Sequence, residues 1–255
     1  MKIVFVGAGN LATRLSLAMQ RVGMQIGQVY SHTEESARQL AAQLGCPWTN
    51  DLSALQADAD LYVFSLKDTA LQEVISKVKP NNGMWIHTAG SMPMSVFEGY
   101  VGRFGVLYPL QTFSKGRNVN FEVIPFFIEA NTEKEADYLK NIASALSENV
   151  RFMSSEKRRS LHLAAVFACN FTNHIYTLSY KLLENESIPA EVLLPLIDET
   201  AAKIHSMSPV AAQTGPAIRY DENVINKHVA MLDDPDMKVI YQLLSQSIHK
   251  EAQNE

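Results

Sequence analysis

Short apolar runs and amphipathic stretches alternate along the first part of the chain. Residues 2–6, 25–30, 61–66, 84–87, 104–107 and 124–129 read as strands, with 151–153 as a short last one. Between them, apolar residues recur at helical spacing over 11–22, 34–44, 69–78 and 133–148. Strand–helix alternation of this kind predicts an α/β fold with a mostly parallel sheet covered on both faces.

After about Ser154 the texture changes. In "SSEKRRSLHLAAVFACNFTNHIYTLSYKLLENE", Leu161, Ala164, Ala168, Phe171, Ile175, Leu178 and Leu182 follow at three- and four-residue steps. That spacing predicts one helix of about eight turns. Ser154 or Ser155 is its expected N-cap. Pro189 suits the first turn of a following helix. Pro195 lies inside the next helical pattern, which predicts a kink or two shorter helices. "SPVAAQTGPAIRYD" reads as a loop, and two more helices are expected over 222–232 and 235–251. No strand signal occurs in this half. The expected organisation is a nucleotide-binding sheet domain over 1–153 and an all-helical domain over 154–255.

Composition narrows the function. A formal net charge of −5 over 255 residues gives no electrostatic footprint for nucleic acid or an anionic membrane. The two cysteines, Cys46 and Cys169, stand far apart with no second ligand at metal spacing, so neither a disulfide framework nor a metal site is expected. The opening apolar run is too short for a signal peptide, and no stretch approaches the roughly 18–20 apolar residues of a spanning helix. These features predict a soluble cytoplasmic protein with a small-molecule partner.

The most informative stretch is Gly7-Ala8-Gly9-Asn10-Leu11-Ala12, a G-x-G-x-x-A pattern between a strand and a helix. Gly7 permits the tight turn, Gly9 lets backbone approach a pyrophosphate, and Ala12 lets the helix pack close to the strand. Free N–H groups at the helix start, from Asn10 and Leu11 onward, face the phosphates. The pattern predicts a Rossmann-type doubly wound sheet that binds a dinucleotide. At the end of the second strand an NAD site carries Asp or Glu for the ribose 2′-OH. Here stand Ser31, His32 and Thr33, with Arg38 nearby, which favours NADP over NAD.

Other candidates lie at later strand ends. Ser65, Leu66 and Lys67 are expected at the sheet's carboxyl edge as cofactor contacts, with Asp68 either a contact or a helix cap. His87, Thr88 and Ser91 surround Gly90, and His87 reads either as a cofactor contact or as a satisfied strand-end histidine. Tyr108-Pro109 stiffens the chain after a strand, and Gln111 and Thr112 offer neutral donors and acceptors for a substrate. On the long helix, His162, Val166 and Asn170 fall at four-residue steps, with His174 beyond, forming a polar stripe on an apolar helix. Arg219 and Asp221 share a loop, where Arg219 binds an anionic substrate group or pairs with Asp221.

These residues in this order resemble the Rossmann-like proteins grouped with NADP oxidoreductases, whose C-terminal half is a helical domain of unknown function. The resemblance rests on residues 7–12, His87-Thr88-Ala89-Gly90, Pro109-Leu110-Gln111-Thr112-Phe113, His162 with Asn170-Phe171, and Thr214-Gly215-Pro216 with Arg219 and Asp221. The wider group includes pyrroline-5-carboxylate reductases, F420-dependent NADP reductases and β-hydroxyacid dehydrogenases. It implies NADP binding, a substrate cleft between two domains and a homodimer formed through the helical domain. Two departures stand out: Tyr108 occupies a position where many members have His, and Val166 falls where β-hydroxyacid dehydrogenases carry a catalytic Lys. Acid–base chemistry then falls to His162, the side chain titrating nearest neutrality, with Asn170, Ser91 and Gln111 orienting the substrate. The expected activity is hydride transfer between NADP(H) and a small carbonyl or imine compound. The alternative is a non-catalytic NADP(H)-binding redox sensor.

Overall fold

The computed structural model describes residues 1–254. Its first part runs β1 (Lys2–Val6), α1 (Asn10–Arg21), β2 (Gln25–Tyr30), α2 (Glu34–Leu44), β3 (Trp48–Thr49), β4 (Leu61–Phe64) and α3 (Asp68–Lys77). There follow β5 (Met84–His87), β6 (Phe104–Pro109), β7 (Phe126–Ala130), α4 (Glu133–Ser144) and β8 (Val150–Phe152). All eight strands form one sheet in the order β3-β2-β1-β4-β5-β6-β7-β8. Every neighbouring pair is parallel except β6 with β7. The segment between those two strands contains no helix, and a parallel return would need a crossover of a dozen or more residues, usually helical.

Alternation within the strands fills both faces. Ile3, Phe5, Leu61, Val63, Met84 and Ile86 join one core with α1 and α2. Val4, Val6, Tyr62, Phe64 and Trp85 point the other way, into a second core with α3. A period of two in continuously apolar runs is what burial on both faces requires.

Chain order reverses at β1. From there β2 and β3 extend one way, β4 and its successors the other. This is a topological switch point, and in doubly wound sheets ligands bind beyond the carboxyl ends of the strands there.

The chain divides into two compact units, Met1–Asn170 and the remainder from Phe171. The first unit ends with α5 (Ser155–Ala165) and a π-helical segment, Val166–Phe171, overlaps the division. Ser154 caps α5, its hydroxyl accepting from Lys157 N–H. The second unit comprises α6 (Thr172–Asn185), α7 (Leu194–Lys203), α8 (Pro209–Ala212), α9 (Glu222–Met231) and α10 (Pro235–Ala252).

Two expectations need correction, and the one at Pro195, of two shorter helices, is met. The single long helix is α5 and α6 with the π segment between them. Pro195 lies in the first turn of α7, after a separate 3₁₀ turn over Ala190–Leu193, because that turn needs no N–H from it. The loop around residue 210 contains the one-turn helix α8, capped by Ser208. No described helix is long and apolar enough to cross a membrane.

Candidate active site

The carboxyl ends of four strands lie in register along one edge, and β6 runs beside them and on to Pro109. Val6 pairs with Tyr30 on one side and Phe64 on the other, Phe64 with His87, and His87 with Val106. The segments leaving those strands carry most of the residues the sequence singles out.

The two glycines of the first turn have different reasons to be there. Gly7 has φ +126°, and a Cβ on it would collide with the Ser65 carbonyl oxygen. The fold itself demands glycine at that position. Gly9 has φ −76°, open to any residue, and a Cβ there meets nothing within 4 Å. Its bareness serves no packing within the protein and instead leaves room for something to approach the backbone. Gly9 is the N-cap of α1, no side chain caps the helix, and its first turn holds no acid. The opening N–H groups therefore face outward with their partial positive charge. Behind them Ala8 and Ala12 are buried, Asn10 is exposed and Leu11 half-buried.

We expect Gly9→Ala to fold with unchanged melting temperature and lose affinity for a dinucleotide. Gly7→Ala should destabilise the fold itself. Thermal melts paired with titration calorimetry check both; equal affinity for Gly9→Ala and wild type would contradict this reading.

At the end of β2, the side chains of Ser31, His32 and Thr33 make no hydrogen bond among the described residues. His32 and Thr33 are exposed. Of the two carboxylates that open α2, Glu34 is exposed and Glu35 is turned onto its own helix. Arg38 donates to it at 2.6 Å and Gln39 at 2.5 Å, and these bonds hold its carboxyl below the ordinary value. The edge thus presents hydroxyls and an imidazole where a ribose would meet it.

After β4, Ser65 Oγ accepts from Thr88 Oγ1 at 3.3 Å, Leu66 is half-buried and Lys67 exposed. Asp68 opens α3 and accepts a hydrogen bond from Ser91 Oγ, tying together the segments that follow β4 and β5. Gln111 is exposed, its Oε1 accepting from Thr112 N–H.

His87 resolves to the satisfied strand-end arrangement. The ring is fully enclosed; its Nδ1 accepts from Ala89 N–H at 3.2 Å, and Nε2 meets Pro93 O at 3.3 Å. That pattern places the proton on Nε2. Burial, reinforced by the charge of Arg158, pushes its pKa down to about 3, so the ring is neutral at any physiological pH. His87 shapes the turn and presents no free nitrogen.

The opposite holds for His162 on α5. Its Nδ1 lies 3.1 Å from the Tyr108 hydroxyl, and no described protein group hydrogen-bonds Nε2. Gly90 makes room for the ring, since a Cβ there would stand 2.6 Å from Nδ1. Loop, strand and helix, 54 residues apart in the case of Tyr108 and His162, converge on one imidazole. Tyr108 is buried beside Phe127, and burial raises its pKa while Arg158 opposes the rise.

Arg158, one turn before His162, anchors this corner. It is fully buried, with Nη1 2.7 Å from Glu129 Oε2 and Nη2 2.6 Å from Met92 O and 3.1 Å from Ser155 Oγ. Ser155 also donates to Glu129 and accepts from Met94 N–H. The network locks α5 to β7 and to the loop bearing Gly90. Its sequence signal was available: Arg158, Leu161, His162 and Ala165 follow at i, i+3, i+4 and i+7, the inward face of a helix.

Asn170 lies in the π segment and is exposed, and the hydrogen bond of His162 is to Tyr108 rather than to it. In the second unit Arg219 is exposed and forms no ion pair among the described residues. Asp221 instead caps α9, accepting from Val224 N–H at 3.3 Å.

A doubly wound sheet with a bare glycine turn at its switch point and an uncapped helix start defines a dinucleotide-binding protein of the Rossmann class. Residues 2–86 match the family described as NADP oxidoreductase, coenzyme F420-dependent, and residues 124–248 match a domain of unknown function. A crystal structure of a candidate NADP oxidoreductase from Bacteroides fragilis is 55% identical, with 98% of each chain covered and a TM-score of 0.93. The chain belongs to this NADP oxidoreductase family, in which the nucleotide-binding domain precedes that C-terminal domain. Two more distant structures share the fold at 13% identity and a TM-score of 0.64. One is 1-pyrroline-5-carboxylate reductase from Streptococcus pyogenes, with 100% of this chain and 99% of that one covered. The other is an imine reductase from Myxococcus stipitatus in complex with NADP+, at 100% and 93%. Among curated proteins, none matches the chain.

Proposed function

We propose that this protein binds NADP(H) along the carboxyl edge and reduces a small carbonyl or imine compound, with His162 as proton donor. The observation that carries the reading is the placement of the Tyr108–His162 pair. It stands at the end of β6, three strand positions from the glycine turn on β1, about 14 Å at ordinary strand spacing. A dinucleotide seated by its pyrophosphate at Gly7–Gly9 spans such a distance.

The residues present fit the cofactor. Gly9 and the start of α1 would hold the pyrophosphate, and Ser31, His32 and Thr33 the 2′-phosphate, which favours NADP over NAD. When bound, the nicotinamide supplies the hydride. The protein's part is to position the substrate and to give a proton from His162 to the heteroatom that gains electrons.

The second unit supports assembly as a homodimer. From residue 171 onward only Ala217, Ile225, Leu232 and Ser245 are buried among the described residues. Leu196 is 63% exposed, Leu243 60% and Met231 78%, too much apolar surface for helices that work alone. A second copy, packing the same helices against these, is the occupant we propose, and light scattering should give twice the 28.4 kDa of one chain. A cytoplasmic location accords with the two free cysteines.

The activity is tested by following NADPH consumption with a panel of ketones, keto acids and cyclic imines. Steady consumption with any of them supports the proposal. Tight NADPH binding with no consumption across the panel would favour the redox-sensing reading, for which Val166 in place of lysine is the observation.

A further inference from the structure

We infer that Tyr108 is a positioning residue for His162: its hydroxyl donates to Nδ1 and so fixes the imidazole proton on Nε2, the atom left open to a substrate. This deepens the proposed function and rests on its assignment of His162 as proton donor.

The direction of the hydrogen bond follows from counting partners. Among the described residues the Tyr108 hydroxyl has one partner, His162 Nδ1 at 3.1 Å. A phenol both donates and accepts, whereas the two nitrogens of a neutral imidazole divide those roles. Were Nδ1 to carry the proton, the buried phenol proton would have no acceptor, and Nε2 would be a base with no proton to give. With the phenol donating, both protons are placed: one in the hydrogen bond, the other on Nε2. Burial keeps the phenol protonated and therefore able to donate, despite the opposing charge of Arg158.

Gly90 and Arg158 make the arrangement rigid. The backbone of Gly90 lies against the ring, leaving no space for a side chain at that position. Arg158 fixes the helix one turn earlier through Glu129 and the Met92 carbonyl. His87, nearby on the same edge, holds its proton on the same nitrogen by a different device, but spends it on Pro93 O. Of the two, His162 alone keeps Nε2 clear of protein partners.

During turnover, the Nε2–H bond breaks as its proton moves to the substrate heteroatom, whose electron pair forms the new bond. In the same step Nδ1 takes the Tyr108 proton, leaving a phenolate; solvent then reprotonates Nε2 and Nδ1 returns its proton to the phenolate, which restores the starting tautomer. Charge is balanced at every stage: the substrate loses its negative charge as the phenol acquires one.

The test is nitrogen-15 NMR of the cofactor-free protein, with a His162→Gln spectrum identifying the His162 signals among the seven histidines. Wild type should show a protonated Nε2 and an unprotonated Nδ1 in the neutral ring. Tyr108→Phe, which removes only the hydroxyl, should lose this single-tautomer pattern, and its kcat should fall while the KM for NADPH is unchanged. A proton on Nδ1 in the wild type would overturn the inference without need of any variant, as would an unaltered tautomer in a folded Tyr108→Phe. The spectra require no cofactor, so they stand apart from the proposed activity. A correct tautomer with no NADPH consumption sinks the function alone; consumption with the proton on Nδ1 sinks the positioning role alone.

Discussion

Replacing His162 with alanine should lower NADPH-dependent turnover by roughly 10²–10⁴-fold, the usual contribution of a positioned acid or base. NADPH affinity should not change, because Tyr108, to which His162 is hydrogen-bonded, stands on β6, three strand positions from the glycine turn on β1. Nor should the fold suffer greatly. His162 is half-buried and its single hydrogen bond is to Tyr108, so the loss leaves one phenol to find water. Steady-state kinetics, calorimetric Kd and a thermal melt on the same preparation separate these effects. Turnover and affinity falling together would show that His162 serves cofactor binding, and the assignment as proton donor would be withdrawn.

Arg158→Ala should have the largest effect on stability, about 3–5 kcal/mol, because it leaves Glu129 as a partly buried carboxylate without its partner. Four groups lose their anchor at once: Glu129, Ser155, the Met92 carbonyl and, through them, the loop that carries Gly90. A double variant, Arg158→Met with Glu129→Leu, should recover much of the loss, since two apolar side chains of similar volume leave no unpaired charge. Urea denaturation of the three proteins measures it. A single variant as stable as wild type would mean that the network contributes nothing net, and that α5 is held by Leu161 and its apolar neighbours.

Much of the fold was legible before any coordinates. Alternating runs gave every strand except β3, whose two residues are too few to carry a period. That β7 runs antiparallel was not read from the sequence, although the stretch after Tyr108 carries no helical pattern. The glycine turn was legible because each small residue in it answers a separate steric demand, although only the structure separates Gly7, needed by the fold, from Gly9, needed by a ligand. The polar corner was harder. His162 announced itself as a histidine on an apolar helix, but its partner lies 54 residues earlier, and no local pattern pairs them. Arg158 was concealed in the run "EKRRS", which reads as a solvated face until its spacing to Leu161 and Ala165 is taken seriously. The π segment left no trace, since neither Pro nor Gly marks it.

The most direct measurement is the dissociation constant of NADPH beside that of NADH, by titration calorimetry in one buffer. NADPH binding much more tightly than NADH is the predicted result, with Ser31, His32 and Thr33 reading the 2′-phosphate. Binding of neither would contradict it: the bare turn at Gly9 would then be scaffolding, and the proton donor beyond it would have no hydride to follow.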